Sequence, residues 1–191
     1  MVEKRKRGNK IFNPDSFSLL NHPFYLFNHI FLHRGRELNH ELSQYDVDYS
    51  KWRVLAVLNE CPNCTMQILA DTAGVDRTSL THTVRLMIEA GLVTKTTRQS
   101  DRRSVVLSLT DEGISTFKKV LPIVIKNNER CFADFSEEEI QSFMHTLRRI
   151  ILNIKTESAA SGPDDVVVDY ELSNSIFPAK AFPRRSSSKG R

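Results

Sequence analysis

Between Asp76 and Gly91 the chain gathers Arg77, Thr78, Ser79, Thr81, His82 and Arg85, side chains that can each bond a phosphate oxygen or a base edge. Among them stand Leu80, Val84 and Met87, whose spacings of four and three residues put them on one face of a helix. The polar residues are left on the opposite face. Asp76 is suited to cap the first turn by accepting from free backbone N–H groups. Gly91 suits the stop, because glycine takes the left-handed conformation without steric cost. A helix with an apolar back and a polar edge of this kind suits the major groove of duplex DNA. Ser79, Thr81, His82 and Arg85 are the candidates for base edges, and Arg77 and Thr78 for phosphate.

Two β-branched runs follow, Leu92–Arg98 and Ser104–Thr110, joined by a polar turn at Gln99–Arg102. Arg98, Arg102 and Arg103 crowd the tip of this expected hairpin, where arginine can enter a narrow, electronegative minor groove. Asp101 is better suited to orienting one of these arginines than to meeting DNA. Upstream, Thr65 is a cap, Ile68, Leu69 and Ala73 are expected to pack inward, and Gly74 allows a tight turn. Helix, turn, reading helix and basic hairpin in this order describe a winged helix-turn-helix.

At these residues the chain resembles the multiple-antibiotic-resistance-regulator (MarR) family of bacterial transcription factors. The resemblance rests on Trp52-Arg53-Val54-Leu55, Leu69-Ala70, Val75 with Thr81, Gly91-Leu92-Val93, and Asp101-Arg102-Arg103 leading to Leu107-Ser108-Leu109-Thr110. It extends over about residues 17 to 156. Thr78 stands where the family often has proline and His82 where it often has arginine, departures that bear on the target sequence. The resemblance implies a homodimer held by its terminal helices, and ligands where those helices meet the winged part. Small aromatic acids are frequent effectors in such proteins.

Other side chains carry chemistry of their own. His22, His29, His33, Arg36 and His40 recur at spacings of seven, four, three and four, one stripe of a helix, with Tyr25 nearby. Three readings of this stripe compete: a solvated face, a pocket for an anionic ligand, or a metal shared by His29 and His33. In the pocket reading Tyr25 and Trp52 stack on an aromatic acid or its coenzyme-A thioester, and Arg36 or Arg53 pairs with its carboxylate. No metal or cofactor is expected, since no carboxylate ligand accompanies the histidines. Cys61 and Cys64 form a CxxC just before the helix-turn-helix, which suits a thiol-based redox sensor. A thiol–disulfide enzyme is a remote alternative, because the βαβ setting is missing. No catalytic residue set is apparent, and an enzyme is not expected.

These residues must be held by a mainly α-helical chain with a small β-hairpin. A long helix is expected from about Asp15 to Ser43, with Leu20, Phe24, Phe27, Phe31, Leu38 and Leu42 on one seam. A second helix is expected over Trp52–Glu60. A helix opening at Thr110 carries Pro122, where a kink is expected. Ser136 and Glu139 form a capping box before Ile140, Phe143, Leu147, Ile150 and Ile154, an apolar stripe. The terminal helices thus carry more apolar surface than one small domain needs, which points to a two-fold homodimer. The expected organisation is a disordered basic arm over 1–14, one winged domain over 15–157, and a disordered tail over 158–191. Within the domain, the DNA-binding part spans about 50–110 and the dimerisation parts 15–45 and 111–157. The formal charge of +4 over 191 residues is matched by the first ten residues alone, so the location of charge matters more than its total. No apolar run is long enough to span a bilayer, and a cytoplasmic protein binding a near-palindromic operator is expected.

Overall fold

The computed structural model describes residues 12–98 and 101–159, with side chains except at 16, 98, 101–104 and 155–159. The basic arm to residue 11 and the tail from residue 160 lie outside the described residues. In chain order the elements are α1 (Pro23–Leu42), α2 (Tyr49–Glu60), β1 (Cys64–Thr65), α3 (Met66–Ala73), α4 (Arg77–Glu89), β2 (Val93–Arg98), β3 (Asp101–Leu109), α5 (Asp111–Cys131) and α6 (Glu137–Ala159).

α1 begins eight residues later than the apolar spacing predicted. Pro23 occupies its first turn, where a missing N–H costs nothing, and His22 before it is held extended at φ −81°, ψ 128°. Residues Pro14–Ser16 and Leu19–Asn21 form separate 3₁₀ turns instead. α2 begins at Tyr49, three residues before the expected Trp52, because Asp48 caps it by accepting from the Lys51 N–H at 2.7 Å. The expected caps at Thr65 and Asp76 are made, and Thr110, where a helix is expected to open, caps α5. Ser136 and Glu139 close a reciprocal capping box, at 2.8 and 3.2 Å. α5 runs unbroken through Pro122.

The core joins the C-terminal half of α1, the three following helices, the sheet and the middle of α5. Leu38, Leu42, Leu55, Leu58, Leu69, Leu80, Met87 and Val120 are essentially sealed from solvent. Burying a side chain of this size contributes about 1.5–3 kcal/mol. Ile68 departs from expectation: it is 42% exposed while Leu69 and Ala73, one helical turn apart, face inward. The expected two-stranded hairpin is instead a three-stranded antiparallel sheet in the order β1-β3-β2. Cys64 pairs with Leu107 and Thr65 with Val106. The added strand seats the start of α3 on the base of the wing, and Ser108 Oγ reinforces the join by accepting from the Asn63 N–H at 3.0 Å.

α5 is tied to the same base. Thr110 Oγ donates to the Gly91 carbonyl at 2.6 Å and the Thr110 N–H to the Leu92 carbonyl at 3.1 Å. Gly113 lies so close that an added Cβ would stand 2.1 Å from the Leu92 carbonyl oxygen. α4, the wing and the start of α5 therefore meet at one junction.

Candidate nucleic-acid interface

α4 divides as the spacing predicted. Leu80, Val84 and Met87 are buried, at 2% exposure or less. Arg77, Thr78, Ser79, Thr81, His82 and Arg85 are all exposed on the outward side. Asp76 Oδ1 accepts from the Ser79 N–H at 2.9 Å. Hydrogen bonding to the Ser79 side chain, and then to its amide, holds the Asp76 carboxyl below the ordinary carboxylate range. An anion at this end of the helix also meets the positive end of its dipole.

Within the exposed face the hydroxyls are already ordered. Thr81 donates to the Arg77 carbonyl at 2.7 Å and Thr83 to the Ser79 carbonyl at 3.0 Å. Thr81 thus keeps its oxygen lone pairs and its methyl for a partner. Arg85 pairs with Glu89 at 2.7 Å and lies 3.3 Å from His82 Nδ1. Arg77 donates to Gln67 Oε1 of α3 at a long 3.4 Å. These partners are exposed and weakly held, so both guanidiniums are available to a polyanion.

The wing pairs Val93 with Leu109 through Thr97 with Val105, and a register shift between Thr97 and Arg98 bends its end before Arg98 meets Asp101. Gln99 and Ser100, and the side chains of Arg98, Asp101, Arg102 and Arg103, lie outside the described residues. The backbone nonetheless places all three arginine positions at one end of β2 and β3.

The residues expected to line a ligand pocket are brought together only in part. Tyr25, His29 and His33 form a row along α1, with ring centres 4.4 and 5.9 Å apart. Arg36 is exposed on the same helix. Trp52 stacks instead on Phe117 of α5, 5.6 Å away at an interplanar angle of 2°. Arg53 donates to the Gly74 carbonyl at 3.2 Å. Among the described residues no group of three or more His, Cys, Asp or Glu converges on a point that could hold a metal ion.

The thiol reading is corrected by burial. Cys61 and Cys64 are both free, and Cys64 is 2% exposed within the core. Burial first, and the neighbouring Cys61 second, push the Cys64 thiol up to about 12. A redox-sensing cysteine needs thiolate character and access, and Cys64 has neither. Its spacing to Cys61 reflects instead the turn into β1, where Cys64 serves as a small core residue.

A larger apolar feature lies away from the reading head. A cleft of about 1160 Å³ opens between the N-terminal half of α1, the end of α5 and α6, lined by Phe24, Phe27, Phe31, Phe143, Ile150 and Ile154 among others. Phe24, Phe31 and Ile154 are 53%, 64% and 56% exposed. Of the predicted ligand residues only His33 reaches it. α6 contributes no fully buried side chain over residues 137–154. Among the described residues, no helix is long and apolar enough to cross a membrane.

Comparison with known proteins bears on this geometry. The MarR family model matches residues 45–104, the segment from the end of the 3₁₀ turn after α1 into the wing. The repressor IacR of Pseudomonas putida is 24% identical over 153 residues, covering 79% of this chain and 92% of its own length. CouR of Rhodococcus jostii, solved with p-coumaroyl-CoA, superimposes with a TM-score of 0.65 at 23% identity, covering 71% of this chain and 95% of CouR. A mutant MarR of E. coli, solved with operator DNA, gives 0.60 at 21% identity, covering 65% of this chain and 90% of that one. The winged helix-turn-helix is therefore the fold this chain shares with these regulators, and its residues 45–104 are similar to the MarR family model.

Proposed function

We propose that the chain is a sequence-specific transcriptional repressor that binds duplex DNA as a homodimer and is released by a small organic effector. The observation that carries this reading is the exposed polar face of α4, backed by buried Leu80, Val84 and Met87 and flanked by the arginine-bearing wing. α4 enters the major groove, with Ser79, Thr81, His82 and Arg85 toward base edges and Arg77 and Thr78 toward phosphate. Arg98, Arg102 and Arg103 follow the adjacent minor groove. The repressor name of IacR and the operator DNA bound to MarR support this assignment.

The apolar cleft supports the homodimer. Exposed aromatic and aliphatic side chains along α1 and α6 form one continuous surface of a kind that soluble monomers seldom leave open. A second copy placed about a two-fold axis covers both cleft and α6, and sets two reading helices about one turn of DNA apart. The operator is then close to palindromic.

The effector is an aromatic acid or its coenzyme-A thioester, in keeping with the p-coumaroyl-CoA bound to CouR. Its seat is the Tyr25–His29–His33 row with Arg36, and it releases DNA by favouring a dimer whose reading heads are misplaced. Trp52 and Arg53 act in the fold rather than as primary contacts. Fluorescence anisotropy with the DNA upstream of the gene, titrated with aromatic acids and thioesters, tests both parts. Tight, fragment-selective binding by a dimer is expected. A monomer without preference over competitor DNA overturns the reading.

A further inference from the structure

A chain of contacts runs from the long helices to the turn that launches α4. Arg130 of α5 bridges Glu37 and Glu41 of α1, at 3.0 and 2.6 Å. One α1 turn earlier, Arg34 donates to Asn128 Oδ1 at 2.7 Å and to the Tyr49 hydroxyl at 3.2 Å. Tyr49 opens α2, and its N–H donates to Asn39 Oδ1 of α1 at 2.6 Å. The Arg34 and Arg53 guanidinium carbons lie 5.6 and 5.7 Å from the centre of the Tyr49 ring. Arg53 then donates to the carbonyl of Gly74.

Gly74 is the left-handed residue that ends α3, at φ 57°, two residues before the cap of α4. A Cβ there would stand 2.9 Å from the Arg53 guanidinium nitrogen, so the two groups are in direct packing contact. Neither Arg34 nor Arg53 has an acidic partner within ion-pair distance among the described residues. Each is held by an aromatic face and neutral acceptors rather than by an ion pair.

We propose that Arg34, Tyr49 and Arg53 form a positioning relay: Arg53 pins the α3–α4 turn through the Gly74 carbonyl, and Arg34 makes that pin depend on how α1 and α5 are packed. The relay touches neither DNA nor effector. It sets the angle at which α4 is presented, and a shift of α1 against α5 reaches the reading helix through it. Its value to regulation rests on the repressor reading above.

The experiment uses Arg34→Met, Tyr49→Leu and Arg53→Met in the full chain, with two readouts. The first is amide hydrogen exchange over residues 74–80 without DNA. Arg34→Met leaves the Arg53–Gly74 hydrogen bond chemically intact, yet exchange in that turn is expected to rise at least about threefold while the sheet and α5 stay unchanged. A uniform rise in all elements, or none in the turn, overturns the relay. The second is DNA affinity against salt. Each variant is expected to bind its preferred fragment about 2- to 30-fold more weakly with an unchanged salt slope, and the Arg34→Met/Arg53→Met double variant no more weakly than Arg53→Met. A shallower slope, or additive losses, overturns the proposal by making the arginines independent or direct phosphate ligands. Should Tyr49→Leu fail to fold, the two arginine variants decide alone. If the wild-type chain shows no fragment preference while the exchange result holds, the repressor reading falls and the relay stands.

Discussion

Arg77 and Arg85 sit eight residues apart on the exposed face of α4, and the proposed function gives them different tasks. Arg85 is engaged by Glu89 at 2.7 Å, with both side chains more than half exposed. A solvent-exposed pair at this helical spacing is worth about 0.3–0.5 kcal/mol. A bidentate arginine–guanine contact discriminates against a wrong base by about 1–3 kcal/mol. Giving up the ion pair therefore leaves a net gain that corresponds to roughly 2- to 70-fold in base preference. Arg85→Ala should flatten selectivity at a single base pair of each half-site and leave the other positions alone. Arg77→Ala should weaken all sequences evenly and reduce the slope of log affinity against log salt by about 0.9 for each phosphate that is no longer neutralised. Glu89→Gln frees Arg85 and removes an anion from the groove, so affinity should rise for every sequence. Anisotropy titrations on an operator and its single-base variants at several salt concentrations separate these outcomes. Unchanged base preference in Arg85→Ala, together with a reduced salt slope, would show that Arg85 grips phosphate and that the reading edge is misassigned.

Three further outcomes follow from the packing. Phe31→Asp with Ile154→Asp, both on the exposed rim of the cleft, should convert a dimer to a monomer in light scattering while the circular dichroism of the winged part persists. Gly113→Ala drives a Cβ against the Leu92 carbonyl oxygen, and should cost about 1–3 kcal/mol in denaturant unfolding, as overpacking does; full stability would show that the junction yields. The Cys64 thiol is raised from 9.0 to about 12 in the folded chain, so the folded state binds more protons than the unfolded state between those values. Stability is unaffected below pH 9 and falls as pH rises from there toward 12. Cys64→Ala should remove that alkaline loss, and DNA binding by the parent protein should be indifferent to mild peroxide.

Those parts of the molecule whose information is local are legible in the chain alone. The Leu80–Val84–Met87 spacing orients α4 whatever surrounds it, and caps at Thr65, Asp76, Thr110 and Ser136 act within three residues of themselves. The reading face is legible for that reason. α1 starts later than its apolar spacing implies, because that spacing continues past a proline that the helix cannot. Pairings between distant segments leave no periodic trace. Nothing in Cys64-Thr65 announces a third strand, since its partners Leu107 and Val106 lie more than forty residues away. The same holds for Cys61 and Cys64: their spacing reads as redox chemistry until the core closes over one sulfur. Trp52 and Arg53 are suitable ligand residues by type, and only the fold brings Phe117 against one and the Gly74 carbonyl to the other. Arg34 and Tyr49, fifteen residues apart, carry no motif at all. Tertiary structure alone makes them neighbours, because the free energy that seats one helix on another depends on buried surface summed over the whole core, not on the spacing within any one element.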